Sequence, residues 1–192
     1  MSRADAHGSR QRGVSLVELI IFIVVVGIAV VGVVAALRLG TAASTDPMVQ
    51  KQALAIAEAL LEEVQLQPFT YCDPDDANAA TALSSAGCAV AANNESLAMG
   101  FEAGETRAGA QPFDNVSDYH GLNLAGITGI DGAAIPDLGN YNATVTVTPQ
   151  GLGVIPAAEA LLIRVTVAGP PGTNVSVVLD GYRVRYAPNA LP

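Results

Sequence analysis

Tryptophan is absent from the 192 residues, and aromatic side chains make up only 5% of them. Basic side chains are scarce as well: nine Lys and Arg stand against eighteen Asp and Glu, for a formal net charge of −9. An acidic chain with no basic patch lacks the footprint that a phosphate backbone requires, so a nucleic-acid partner is excluded. The acidity reads instead as a solvated surface. Histidine occurs only at positions 7 and 120, and cysteine only at 72 and 88. Two thiols without a neighbouring His fill half of a zinc shell, which sets a cysteine metal site aside. His120 has Asp114 and Asp118 near it in sequence, but no motif marks a serine nucleophile beside them. It reads as a loop histidine, and neither enzymatic activity nor a cofactor is expected. Sequons at Asn115, Asn142 and Asn174 carry little weight in a chain of this kind. The length suits one anchor segment and one modest domain, not two full cores.

Apolar residues are plentiful at 51%, mostly Ala, Val and Leu, and many crowd into one stretch near the start. Residues 1–13, MSRADAHGSRQRG, are polar and carry Arg3, Arg10 and Arg12 against a single acid, Asp5. Val14-Ser15-Leu16-Val17-Glu18 follows, and then Leu19 to Leu37, nineteen residues without a charge. A run of that length is about what a bilayer's hydrocarbon core asks of a helix, so a lipid bilayer is an expected partner. With the arginines before the run and the acidic body after it, the start stays in the cytoplasm and the remainder is exported. A secretory signal peptide has a shorter apolar region and a small-residue cleavage site behind it. Arg38-Leu39-Gly40-Thr41-Ala42 makes only a loose site of that sort. Gly27 and Gly32 interrupt the run, either to let neighbouring helices approach or simply because membrane helices are rich in glycine.

Glu18 does not fit a plain anchor. A carboxylate at the mouth of an apolar run either lies wet among headgroups or has a partner, because desolvating it alone is costly. Arg10-Gln11-Arg12-Gly13 followed by Val14-Ser15-Leu16-Val17-Glu18-Leu19-Ile20 resembles the class III signal of type IV prepilins. In that family a short basic leader ends in Gly, an acid holds the fifth mature position, and an uninterrupted apolar helix follows. The resemblance implies cleavage after Gly13 by a prepilin peptidase and methylation of the new amino terminus on Val14. It gives Glu18 the role of directing that methylation and of neutralising the terminal amine of an adjoining subunit. A carboxylate and an ammonium buried together are far less costly than either alone. The family most often has phenylalanine where this chain has Val14, which puts the efficiency of methylation in question but not the cut. Other pilin subunits and an inner-membrane assembly platform are the implied partners, with a periplasmic head that later sits on an extracellular filament.

Beyond the stem, Gly40 to Thr45 reads as a break, and Asp46-Pro47 as an N-cap with proline at the first helical position. Val49, Ala53, Ile56, Leu60 and Val64 then recur at helical spacing, with Glu58 and Glu62 facing away. The helix is predicted to stop before Pro68. Residues 53–64 and Pro68-Phe69-Thr70-Tyr71-Cys72-Asp73-Pro74-Asp75-Asp76 are similar to minor pilins of the MSHA (mannose-sensitive haemagglutinin) pilus group. Cys72 and Cys88 enclose fifteen residues, and in an exported chain such a pair reads as one disulfide. Asp73, Asp75, Asp76 and Asn78 read as the start of a short helix over 74–84, with Asp73 capping and Pro74 first. The same acids are a lesser Ca2+ candidate, lacking the Gly and the distant Glu of a calcium-binding helix–loop–helix. From 70 to 140 turn formers dominate, and a long loop-rich region is expected.

Strands are predicted over 141–148, 161–168 and 175–186, each alternating apolar and polar residues. Val145 and Val147 fall on one face, while Leu161, Ile163, Val165 and Val167 fall on another. Pro170-Pro171-Gly172 marks a turn, and Asp180-Gly181 marks a bulge or a division of the last strand. The fold expected is α+β and pilin-like: a long N-terminal helix on a small antiparallel sheet of three or four strands, with a disulfide-tied insertion. Its segments are a leader (1–13), a membrane and filament-core helix (14–39) and a head (46–192). The function expected is a minor pilin of a type IV filament for attachment and motility. A minor pseudopilin of a type II secretion system is the alternative, and a membrane-tethered enzyme a more distant one.

Overall fold

Nineteen consecutive uncharged residues followed by a second apolar stripe at helical spacing give one long helix and little other helical structure. The computed structural model describes residues 15–95 and 99–190, and for residues 38–46 the backbone alone. Helix α1 spans Leu16–Leu66, and the chain divides between Thr45 and Asp46 into two compact units. In the first, Leu16–Leu37 is apolar enough to cross a membrane, with a mean hydropathy of 3.3 and no buried residue. Its 22 residues extend about 33 Å, close to the ~30 Å of a hydrocarbon core.

The expected break at 40–45 does not form: α1 runs through it and holds Pro47 in its interior. Proline at 47 is therefore not at a first helical position, and Asp46 is not an N-cap. The residues before it include several alanines and only one glycine, Gly40, so they disfavour the helix weakly. Proline deletes one backbone bond without stopping the remainder.

In the second unit, the C-terminal part of α1 buries Ala53, Ile56, Ala57, Leu60 and Val64, while Glu58 and Glu62 are exposed. This stripe lies on a four-stranded sheet in the order β1 (Asn123–Ala125), β2 (Asn142–Pro149), β3 (Ala160–Ala168), β4 (Ser176–Val184). Every neighbouring pair is antiparallel. The register sets Val145 opposite Val165 and Val147 opposite Ile163. The two apolar sets that the sequence placed on different faces therefore share one, and with Leu161 and Val167 they form the core beneath the helix. The sheet gains a strand, β1, that was not anticipated. It is only three residues long and its alternation is too short to read.

No bulge occurs at Asp180-Gly181, because β4 pairs with β3 through both positions. Gly181 answers to packing instead. A Cβ there would lie 2.5 Å from Gln65 Nε2 and 2.9 Å from Leu61 Cδ1, so the ends of these two α1 side chains occupy the space a larger residue would need. Asp180 is held across the pair by Arg164, through two bonds of 2.7 Å. The turn at Pro170-Pro171-Gly172 forms as expected, with Gly172 at φ +88°.

The described residues between α1 and β2 are irregular, apart from β1 and the short 3-10 turns Ser85–Gly87, Ala91–Asn93 and Ser117–Tyr119. Cys72 and Cys88 are bonded, with Cα atoms 5.5 Å apart. The helix expected over 74–84 is replaced by successive turns. The Asp76 carboxylate accepts the N–H groups of Asn78, Ala89 and Val90, at 2.8, 2.9 and 3.0 Å. A short polar side chain that captures backbone donors in this way competes with a helix and wins where no apolar stripe opposes it.

Candidate functional site

The stem presents one charged side chain within an otherwise apolar helix. Glu18 occupies the first turn of α1 and is exposed, as are all its described neighbours up to Leu37. A carboxylate there suits the positive end of the helix dipole, and the exposed apolar surface around it has to be covered by lipid or by other helices. Gly27 and Gly32 have nothing within 4 Å of where a Cβ would stand, so either surface could press closely against them.

The head contains a second concentration of charge, one that no motif announces. Asp73, Glu95, Glu102, Glu105, Asp114 and Asp118 converge from four stretches of the irregular region. They form three overlapping triads: Asp73–Glu105–Asp114, Asp73–Glu95–Glu102 and Glu102–Glu105–Asp118. Within each triad one carboxylate oxygen per residue lies within 4.8 Å of the others. Asp73, Glu95, Glu105 and Asp118 are buried, Glu95 and Asp118 completely; Glu102 and Asp114 are half-buried.

Several of these carboxylates are anchored by one oxygen while another is left without a partner. Asp73 Oδ1 accepts the N–H of Asp75 at 2.7 Å, a local turn rather than a helix cap, and its Oδ2 is unpartnered. Asp118 Oδ2 accepts the N–H groups of Asp114 and Asn115 at 2.9 and 2.7 Å, leaving Oδ1. Glu95 Oε2 accepts the Ser117 hydroxyl, leaving Oε1. Oε2 of Glu102 and Oδ1 of Asp114 are likewise buried and unpartnered. Burial first, and the neighbouring carboxylates after it, push Glu95 up to about 9 and Glu102 to about 8. Asp114 and Asp118 rise to about 7, and Asp73 is also raised, with burial again the leading cause. An all-oxygen donor set of this kind suits hard cations.

Arg107 is the only Lys or Arg between residues 68 and 141, against ten acids, and it is committed elsewhere. Its Nε and Nη2 donate to Glu63 Oε1 and Oε2 of α1, both at 2.7 Å. Its Nη1 donates to the carbonyls of Thr128 and Gly129, at 3.1 Å each. The pair borders an open, largely apolar groove of about 850 Å3 between α1 and residues 127–138. His120 sits elsewhere, with Nδ1 2.7 Å from the carbonyl oxygen of Val147. Among the described residues neither place joins a nucleophile to a base.

Residues 8–34 match the family described as the prokaryotic N-terminal methylation motif. The chain carries a prepilin-type methylation signal. That signal supports a type IV pilin or pseudopilin role, a structural subunit that is processed by prepilin peptidase and assembles with other pilins. It suits inner-membrane anchoring before assembly. The match ends at residue 34, within the apolar segment, and does not reach the second compact unit. No curated protein and no solved structure matches the chain.

The residues named from sequence divide three ways. Gly13 and Val14 lie outside the described residues, as does the leader, while Glu18 stands in the first turn of α1. Cys72 and Cys88 are joined. Of the three acids proposed as Ca2+ ligands, only Asp73 faces the carboxylate cluster; Asp75 is exposed and Asp76 is occupied by backbone donors. Glu95, Glu102 and Glu105 were missed altogether, and Asp114 and Asp118 were weighed only as neighbours of His120. The available signal was the ratio of acids to bases over residues 68–141.

Proposed function

We propose that this chain is a minor pilin, a low-copy structural subunit of a type IV filament of the MSHA kind that serves attachment and motility. Prepilin peptidase cuts after Gly13 on the cytoplasmic face, Val14 becomes the methylated amino terminus, and residues 46–192 form the periplasmic head. The observation that carries this reading is Glu18, a lone acid in the first turn of an exposed apolar helix, inside a matched methylation motif. Buried in a bundle of such stems, it needs a cation, and the terminal ammonium of an adjoining subunit supplies one without introducing a second uncompensated charge. Segments 53–64 and 68–76, which resemble the D-type minor pilin of the MSHA group, incline the reading toward a pilus rather than a secretion pseudopilus.

The test is the mass of the chain recovered from filaments. The expected species begins at methylated Val14, and Gly13→Leu leaves the full-length precursor in the membrane. Recovery of assembled chain that still carries Met1, or that has been cut beyond Leu37, overturns the reading. Deleting the chain and scoring surface filaments and secreted enzymes in one strain separates the pilus from the secretion alternative.

A further inference from the structure

The carboxylate cluster has more acid than the fold can explain by itself. Six carboxyl groups from residues 73, 95, 102–105 and 114–118 form three overlapping triads, each with oxygens within 4.8 Å of one another. Glu95 and Asp118 have no exposed surface, yet each belongs to a triad and keeps one buried oxygen with no hydrogen-bond partner. A buried, unpartnered carboxylate oxygen is among the costliest groups a fold can hold. Here five occur together. The opposite oxygens of Asp73, Glu95 and Asp118 are fixed by Asp75, Ser117 and the Asp114–Asn115 backbone. That arrangement fixes the three carboxylates, much as outer hydrogen bonds hold the ligands of a metal centre. Arg185 is within electrostatic range of Glu95, but its guanidinium stacks on Phe69 and donates to Thr70, Ala158 and Glu159.

We propose that Asp73, Glu95, Glu102, Glu105, Asp114 and Asp118 form a Ca2+ site that ties the irregular half of the head together. The ion follows from the donors. All are carboxylate oxygens, which suits Ca2+ and its six to eight ligands. Zn2+ favours nitrogen and sulfur in a tetrahedron, and Mg2+ demands a small octahedron and retains its waters. The location supplies the purpose. Asp73 adjoins the disulfide, Asp118 lies in the turn whose Tyr119 is buried in the core, and 102–105 belong to the loop that Arg107 fastens to α1. One ion would reinforce segments already joined by an isolated bridge, Cys72 to Asn94, and by the backbone bond from Gly100 to Ser117. The site is independent of the stem, so it can fail while the pilin reading stands, and the reverse.

The experiment uses the full chain in detergent, stripped with a chelator and titrated with CaCl2 in a calorimeter. Near-UV dichroism follows thermal unfolding in parallel. Saturable binding of one ion per chain is expected, with a rise in Tm of several degrees at saturation. Glu102→Gln, at a half-buried position that tolerates the change, is expected to weaken Ca2+ binding at least tenfold. In the chelated protein the same substitution is expected to raise Tm, because it removes one member of a set of like charges. Asp118→Asn is the second variant, and Asp75→Asn, which lies outside the cluster, is expected to bind like the parent. No heat and no Tm change up to 10 mM CaCl2 would overturn the site. So would an equal loss in Asp75→Asn, or Mg2+ acting at the same concentration as Ca2+. If protons alone neutralise the cluster, Glu102→Gln shifts Tm equally with and without Ca2+, and that result also defeats the proposal.

Discussion

Replacing Arg107 with methionine isolates the contact that fastens the irregular half of the head to α1. The guanidinium is 9% exposed and the Glu63 carboxylate 16%, and they meet through two parallel bonds of 2.7 Å. Both ions have lost most of their water, so removing one strands the other. For a buried pair that loss is about 3–5 kcal/mol. Here the lower end applies, because the Tyr119 hydroxyl still donates to Glu63 at 3.0 Å and the residual exposure admits some water. For a chain of this size each kcal/mol moves Tm by about 2–4 °C, so Arg107→Met should lower it by roughly 6–12 °C. Arg107→Lys keeps the charge but loses the fork and cannot span both Glu63 oxygens and the Thr128 carbonyl. It should fall between the two.

The decisive variant is the double one. Glu63→Met with Arg107→Met removes both charges and replaces them with side chains of similar volume. It should return to within about 1 kcal/mol of the parent, since paired buried ions contribute little over apolar replacements. The assay is unfolding of the full chain in micelles, followed by near-UV dichroism. If Arg107→Met loses less than about 1 kcal/mol, the pair is behaving as a solvated surface bridge. If the two single changes simply add in the double variant, the two groups are not coupled. Either result refutes the reasoning.

The disulfide should contribute about 3 kcal/mol through the loop it closes, so Cys72→Ser with Cys88→Ser should lower the unfolding free energy by that amount, read from a denaturant titration. Gly181→Val sets a branched side chain against Leu61 and Gln65 of α1. It should destabilise by about 1–3 kcal/mol, whereas Gly172→Ala, at a turn open to solvent but with positive φ, should lose about 1 kcal/mol. Burial works to raise the Asp76 carboxyl, but its backbone donors outweigh burial and hold it below the ordinary carboxylate value. A depressed folded pKa gives stability that is present above the unfolded value and lost as pH falls through the folded one. Parent and Asp76→Asn should therefore differ above about pH 4 and converge in more acid solution, as read by midpoints over a pH series.

The fold was legible wherever apolar spacing had room to repeat. Ala53, Ile56, Leu60 and Val64 announce a helix face, and the alternation in 141–148 and 161–168 announces strands to within a residue of β2 and β3, because burial of one face imposes a period on the sequence. Where two effects compete at one residue, local reading chose wrongly. Pro47 reads as a helix start, yet α1 continues through it; Gly181 reads as a bulge, yet its use is close packing under α1. Asp73-Pro74 reads as a cap, but Asp76 is worth more as an acceptor for three backbone donors than as a first-turn charge. Each decision depended on atoms contributed from elsewhere in the chain.

The two candidate sites differ in legibility for the same reason. The proposed processing signal is local in sequence, with Gly13, Val14 and Glu18 within six residues of one another. The carboxylate cluster is assembled by folding across forty-five residues, from Asp73 to Asp118, and its spacing follows loop lengths rather than any period. What did survive in the sequence was a stoichiometry: ten acids against one Lys or Arg over 68–141, with that arginine pledged to α1. A solvated surface can carry such an excess without consequence. A surface, however, does not bury Glu95 and Asp118 completely or leave their oxygens without donors. Burial together with absent partners is what turns an excess of charge into a demand for a counter-ion, and neither property exists until the chain has folded.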